Sequence, residues 1–213
     1  MMKPKRDVLD LSHWNTVDSF KAVYDSGVVG VIHKATQGTD FVDQQYYKRI
    51  VPAKAAGLLW GRYHFGTDEN VSDQVERFLK HWTGDELLAL DWENNIDGTM
   101  SAHQAEDFLG KVRQLTGVYA VLYSGSLLKE YMETKPYTNL PMHRLWWSQW
   151  TTNPVLPSGW DEAWLWQYTD SAHGPEPHGC PGITGNVDCN AYQGTREQLI
   201  EEWNGGEPPP LVA

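Results

Sequence analysis

Two carboxylates one residue apart, Asp91 and Glu93, close the apolar run Leu87-Leu88-Ala89-Leu90. Such a run reads as a buried strand. Side chains alternate along a strand, so Asp91 and Glu93 are expected on one face and Trp92 on the other. Their Cα atoms would then lie roughly 6–7 Å apart, from a rise of about 3.3 Å per residue. Burying two acids costs desolvation free energy, and neighbouring carboxylates push their pKa values apart. One acid that keeps its proton beside others that do not is the arrangement that glycosidic bond cleavage requires. Taken alone, the segment also fits a strand that ends in a solvated acidic loop.

The elements that must position these acids alternate along the chain. Strand-like runs at 8–12, 29–35, 58–65, 87–93 and 118–124 are followed by helical patterns at 16–26, 43–56, 70–82, 101–116 and 126–133. Alternation of this kind implies parallel strands joined by right-handed crossovers. After residue 140 the strands predicted at 145–150, 163–168 and 186–190 are joined by Pro/Gly/Asn-rich loops too short for full helices, and a last helix is expected at 193–203. The fold class is therefore α/β, a distorted eight-stranded β/α barrel with about five crossover helices. Residues 1–204 are expected to form one catalytic barrel domain, with 205–213 a flexible Gly/Pro-rich tail.

Active sites of such barrels lie at the C-terminal ends of the strands. Polar residues gather there: Asp10 on the first strand, Lys34 on the second, Tyr63 and His64 on the third, Asp91 and Glu93 on the fourth, Tyr123 on the fifth, Gln149 on the sixth, Gln167 on the seventh and Asp188 on the eighth. First and last strands become neighbours when a barrel closes, so four carboxylates converge. Tyr63, Tyr123, Trp147 and Trp166 are candidate cleft residues, although each tryptophan fits the core equally well because the strand register is open. Lys34 is placed to keep a carboxylate ionised, and His33 reads as a structural histidine.

Composition narrows the partners. The 213 residues carry a net charge of −11, which opposes nucleic-acid or anionic-membrane binding. No apolar run approaches the ~18 residues of a membrane span. Eleven Trp and ten Tyr mildly favour a carbohydrate ligand, whose C–H faces pack on aromatic rings. Cys180 and Cys189 could be bonded or free; with His173 and His178 nearby a zinc site is conceivable, but the spacing fits no standard pattern, and neither metal nor cofactor is expected. The basic start Met1–Arg6 lacks a following apolar segment, so no classical signal peptide is read.

Several motifs in order resemble glycoside hydrolase family 25, the Chalaropsis-type lysozymes, which include many phage endolysins. Asp10-Leu11-Ser12-His13-Trp14-Asn15 is similar to the family's Asp-x-Ser-x-x-Gln start, with Asn15 for Gln, and Lys34-Ala35-Thr36-Gln37-Gly38 to its Lys-Ala-Thr-Glu-Gly, with Gln37 for Glu. Ala55-Ala56-Gly57, Gly61-x-Tyr63-His64-Phe65, Asp91-Trp92-Glu93, Trp166-Gln167-Tyr168 and Gly185-Asn186-Val187-Asp188 follow. The resemblance runs from about residue 7 to about 203. It implies a β/α barrel and an N-acetylmuramidase that cleaves the β-1,4 bond between N-acetylmuramic acid and N-acetylglucosamine. It also implies that Glu93 is the general acid and that Asp10, Asp91 and Asp188 are the other acids of the site.

Two routes complete that chemistry. Asp188 or Asp10 could act as nucleophile or as base for water; alternatively the substrate's 2-acetamido group attacks C1 while Asp91 or Asp188 orients it. Analogy with acetamido-sugar enzymes favours the second. The rivals are a family 18-like chitinase, whose upstream aspartates are missing here, and a non-catalytic glycan-binding barrel. The expected partner is the peptidoglycan glycan strand, met by a monomer made in the cytoplasm and released through a holin pore or another non-classical route.

Overall fold

Alternating inward and outward apolar side chains build the barrel of this chain, described here from a computed structural model for residues 2–96, 98–134 and 137–203. Its strands are β1 (Val8–Leu11), β2 (Gly30–Gln37), β3 (Leu59–Phe65), β4 (Leu87–Asp91), β5 (Val121–Ser124), β6 (Leu145–Ser148), β7 (Leu165–Asp170) and β8 (Asp188–Tyr192). Strands β1 to β7 pair in sequence as parallel neighbours, and β8 closes the circle between β7 and β1. Val8, Ile32, Leu87, Ala89, Val121, Trp146 and Leu165 fill the interior. Leu9, Val31, Leu88, Leu90, Leu122, Trp147 and Trp166 face the helices. Both layers are dry, as the period of two in each strand requires.

Five helices make the crossovers between β1 and β6: α1 (Phe20–Asp25), α2 (Gln44–Ala55), α3 (Val71–Leu79), α4 (Ala102–Thr116) and α5 (Ser126–Thr134). Their starts carry cap chemistry. Ser19, Asp43 and Asn70 accept from first-turn amides, and Ser101 with Gln104 forms a capping box on α4. The sixth helix, α6 (Arg196–Trp203), plugs the end of the barrel away from the C-terminal rim. Its Leu199 and Trp203 join the interior cluster, and Trp203 Nε1 donates to the Trp60 carbonyl at 3.1 Å. Gly30 makes room for it, since a Cβ there would come within 2.6 Å of the Trp203 ring.

The structure corrects the expected strands in two places. First, β8 runs antiparallel to both neighbours, so not all crossovers return the chain to the same end. No helix spans residues 171–187, and the loop leaves and re-enters the sheet at one rim. Asp188 is therefore at the start of β8, which the reversed direction brings to the rim where the other strands end. Second, β4 stops at Asp91, and Glu93 lies in the turn beyond it. The helix expected at 16–26 is shorter, because residues 16–17 pair with 183–184 in a small ribbon. Both cysteines are buried free thiols. The tail expected at 205–213 lies outside the described residues.

Candidate active site

Asp10, Tyr63, Asp91, Glu93, Tyr123, Trp146, Gln167 and Asp188 line a pocket of about 80 Å³ at the C-terminal rim. Seven strands thus deliver side chains to one space, and the turn after β4 adds Glu93. That turn is pinned through Trp92: its backbone N–H donates to the Tyr123 carbonyl (2.9 Å), its indole to the Met100 carbonyl (2.7 Å), and its carbonyl accepts from Ser124 Oγ (2.6 Å). With the indole 1% exposed in the outer layer, the chain has one direction left for Glu93, which is half-buried at the pocket rim.

A chain of amides supports Asp10. Gln167 Nε2 donates to both its oxygens (3.3 and 3.1 Å), and Asn190 Nδ2 donates to Oδ2 at 2.8 Å. Gln167 is oriented in turn, because its Oε1 accepts from Tyr123 Oη (2.9 Å), Ser148 Oγ (3.0 Å) and Trp150 Nε1 (3.0 Å). Trp146 Nε1 holds the Asn190 oxygen at 2.5 Å, which fixes which way that amide points. A bulge on β7, with Tyr168 the extra residue, sets Asn190 opposite Gln167.

The field of the pocket favours protons. Burial raises the pKa of all four acids. For Glu93 the Asp10 charge adds to burial, and Lys34 opposes. Asp91 is raised well above the usual carboxylate range by burial and then by Glu93, and among the described residues its buried Oδ1 has no hydrogen-bond partner. Asp188 is pushed up to about 9 by burial, by the Asp10 charge and by Asp170, and its proton is shared with Asp10. Asp10 is the ionised member of that pair, since the two amides and Asp188 all donate to it. Tyr63 and Tyr123 are held as phenols by burial and by these acids.

Ten residues named from the sequence divide as follows. Asp10, Tyr63, Asp91, Glu93, Tyr123, Gln167 and Asp188 share the pocket. Lys34 stands beside it, its Nζ donating to Gln37 Oε1 at 2.6 Å and lying 4.7 Å from the Phe65 ring centroid. Among the described residues it makes no ion pair, so it acts on Asp91 and Glu93 through space. Trp147 and Trp166 stay out of the acid pocket: both face the helix layer, 1% and 0% exposed, with indole N–H groups committed to Gln149, and Trp147 lines a neighbouring groove that Glu93 shares. Trp146, one residue earlier, takes the inward place, and Asn190, Ser148 and Trp150 complete the support. Outward-facing apolar neighbours of Trp146 leave no sequence signal for that register. His33 and His64 are both structural, stacked on Trp60 and Phe108 and held neutral by burial, with pKa values lowered to about 4. Among the described residues no cluster of His, Cys, Asp and Glu has the geometry of a metal site, and no helix is long and apolar enough to cross a membrane.

A closed barrel with acids at one rim defines a glycosidase-type site, and comparison with known proteins agrees. Residues 9–176 match the model of glycosyl hydrolases family 25, and the chain belongs to that family. It is 25% identical over 209 residues to "Lysozyme M1" of Streptomyces globisporus, covering 90% of this chain and 69% of that protein. It is 24% identical to the "N,O-diacetylmuramidase" of Chalaropsis sp, covering 76% of this chain and 87% of the relative. The crystal structure of the bacterial lysozyme from Streptomyces coelicolor superimposes with a TM-score of 0.78 at 25% identity, over 92% of this chain and 95% of that one.

Proposed function

We propose that this chain is a peptidoglycan hydrolase of the N-acetylmuramidase type, cleaving the β-1,4 bond between N-acetylmuramic acid and N-acetylglucosamine. The observation that carries the reading is Glu93 at the pocket mouth: half-exposed to a ligand, and held above the ordinary carboxylate range by burial and by Asp10. It serves as general acid, giving its proton to the glycosidic oxygen as the bond to C1 breaks.

The oxocarbenium-like centre that forms faces ionised Asp10. Asp188, with its pKa near 9, carries its proton at neutral pH and is a poor nucleophile or base. That favours the assisted route. The substrate's acetamido oxygen closes on C1, and the unpartnered Asp91 Oδ1 accepts the acetamido N–H. Water then attacks C1, loses a proton to the Glu93 carboxylate and restores the acid, with retention at the anomeric carbon. The pocket is lined within one chain, so a monomer suffices.

The test is mass spectrometry of the products from purified peptidoglycan and from chitin. Muropeptides that end in reducing N-acetylmuramic acid, with chitin left intact, are expected. Reducing N-acetylglucosamine ends, or cleavage of chitin, would refute the assignment.

A further inference from the structure

The loop after β1 carries Trp14 at 85% exposure, a large apolar ring left in water. The loop is braced. Ser12 N donates to Asn15 Oδ1 (2.8 Å), and Arg49 donates to the Ser12 carbonyl (2.8 Å) and the Asn15 carbonyl (2.6 Å). His13 donates to Asp43 Oδ2 from its backbone N (2.8 Å) and from Nδ1 (2.9 Å). The Trp14 ring leans on His13 at 4.6 Å between centroids, and His13 on Phe41 at 5.6 Å. Phe41 is itself 37% exposed, in the ribbon that pairs with the end of β2.

This row of rings starts beside the acids. Lys34 Nζ, whose charge acts on Asp91 and Glu93, lies 5.5 Å from the Phe41 centroid. On the other side of Glu93 a second groove, lined by Ser126, Lys129, Trp147 and Trp150 among others, leads away from the pocket. The acids therefore sit between two extensions, as an enzyme acting within a polymer requires.

We infer that Trp14, with His13 and Phe41 behind it, is a stacking platform for a pyranose ring of the glycan strand, beyond the sugars that flank the scissile bond. The inference rests on the muramidase reading. A pyranose fits because its C–H face covers an aromatic ring, and because the row stands on the loops that follow β1 and β2, at the rim where the acids gather.

Glycan strands stripped of stem peptides and sorted by length test this. Trp14→Ala should lower the ratio of kcat/KM on long strands to kcat/KM on the shortest cleaved strands by about tenfold, acting through KM, as one stacking contact of about 1.4 kcal/mol requires. Trp14→Phe keeps a ring and should lower the ratio less than about threefold. An unchanged ratio, or a loss seen only on strands that keep their stem peptides, would overturn the platform. Calorimetry in a Glu93→Gln background separates the two readings. Long stripped strands should bind about tenfold more weakly when Trp14 is also Ala, and equal affinities would overturn the platform. Absence of turnover by the unaltered enzyme would count against the muramidase reading alone.

Discussion

Asp188, the first residue of β8, stands directly across the ladder from Asp10, near the end of β1. The antiparallel direction of β8 creates this pairing, because it turns a strand start into a neighbour of a strand end. Two acids so placed cannot both ionise cheaply, and the donors Asn190 and Gln167 decide which one does. The pocket thus has an ionised member, Asp10, whose charge lifts the pKa of Glu93.

The Asp10–Asp188 pair makes stability depend on pH. Asp188 has a folded pKa near 9 against an ordinary 3.8, so the native state binds its proton more tightly than the unfolded chain does. That contribution is complete below about pH 4 and is lost as pH rises through about 9. The slope for one proton is at most about 1.4 kcal/mol per pH unit, and water at the pocket mouth reduces it. Urea unfolding at pH 5, 7 and 9 should show the enzyme weakening faster than its Asp188→Asn variant. Parallel curves would contradict the shared proton.

Lys34 opposes the rise of the Glu93 and Asp91 pKa values. Lys34→Met should therefore move the alkaline limb of the kcat/KM profile to higher pH. Gln37→Glu, which places a carboxylate on the same ammonium, should move it the same way. A shift to lower pH in either variant would remove Lys34 from the electrostatics of the site.

Gln167 joins three donors to Asp10. Gln167→Ala strands those donors and takes one amide from Asp10, so a stability loss of about 2 kcal/mol and a fall in kcat/KM of at least about tenfold are expected. Tyr123→Phe leaves Ser148 and Trp150 on Gln167 Oε1 and should cost about 1 kcal/mol, with a smaller kinetic effect. Equal losses in the two variants would show that the phenol has a role of its own.

The alternation of strands and helices, the barrel and the gathering of acids were all readable in the residues, because apolar periodicity and helix caps are local signals. The direction of β8 was not. Its preceding loop is poor in helix, and a parallel or an antiparallel return leaves the same local pattern at 186–190. Register was equally hidden in Leu145-Trp146-Trp147-Ser148: with both faces of a barrel strand dry, either tryptophan could face in, and neighbouring strands choose Trp146. Asn190 gave no signal, as an amide on a buried strand gains its meaning only from Asp10 and Trp146. Asp91 and Glu93 are a strand end and a turn residue rather than two equal positions on one strand.

The most direct measurement compares the enzyme and Glu93→Gln for release of reducing ends from purified cell walls, with circular dichroism and thermal unfolding run on both. A folded variant whose rate falls by about three orders of magnitude or more is the predicted result, since the amide cannot supply the proton. A folded variant that keeps most of the rate would contradict Glu93 as the general acid.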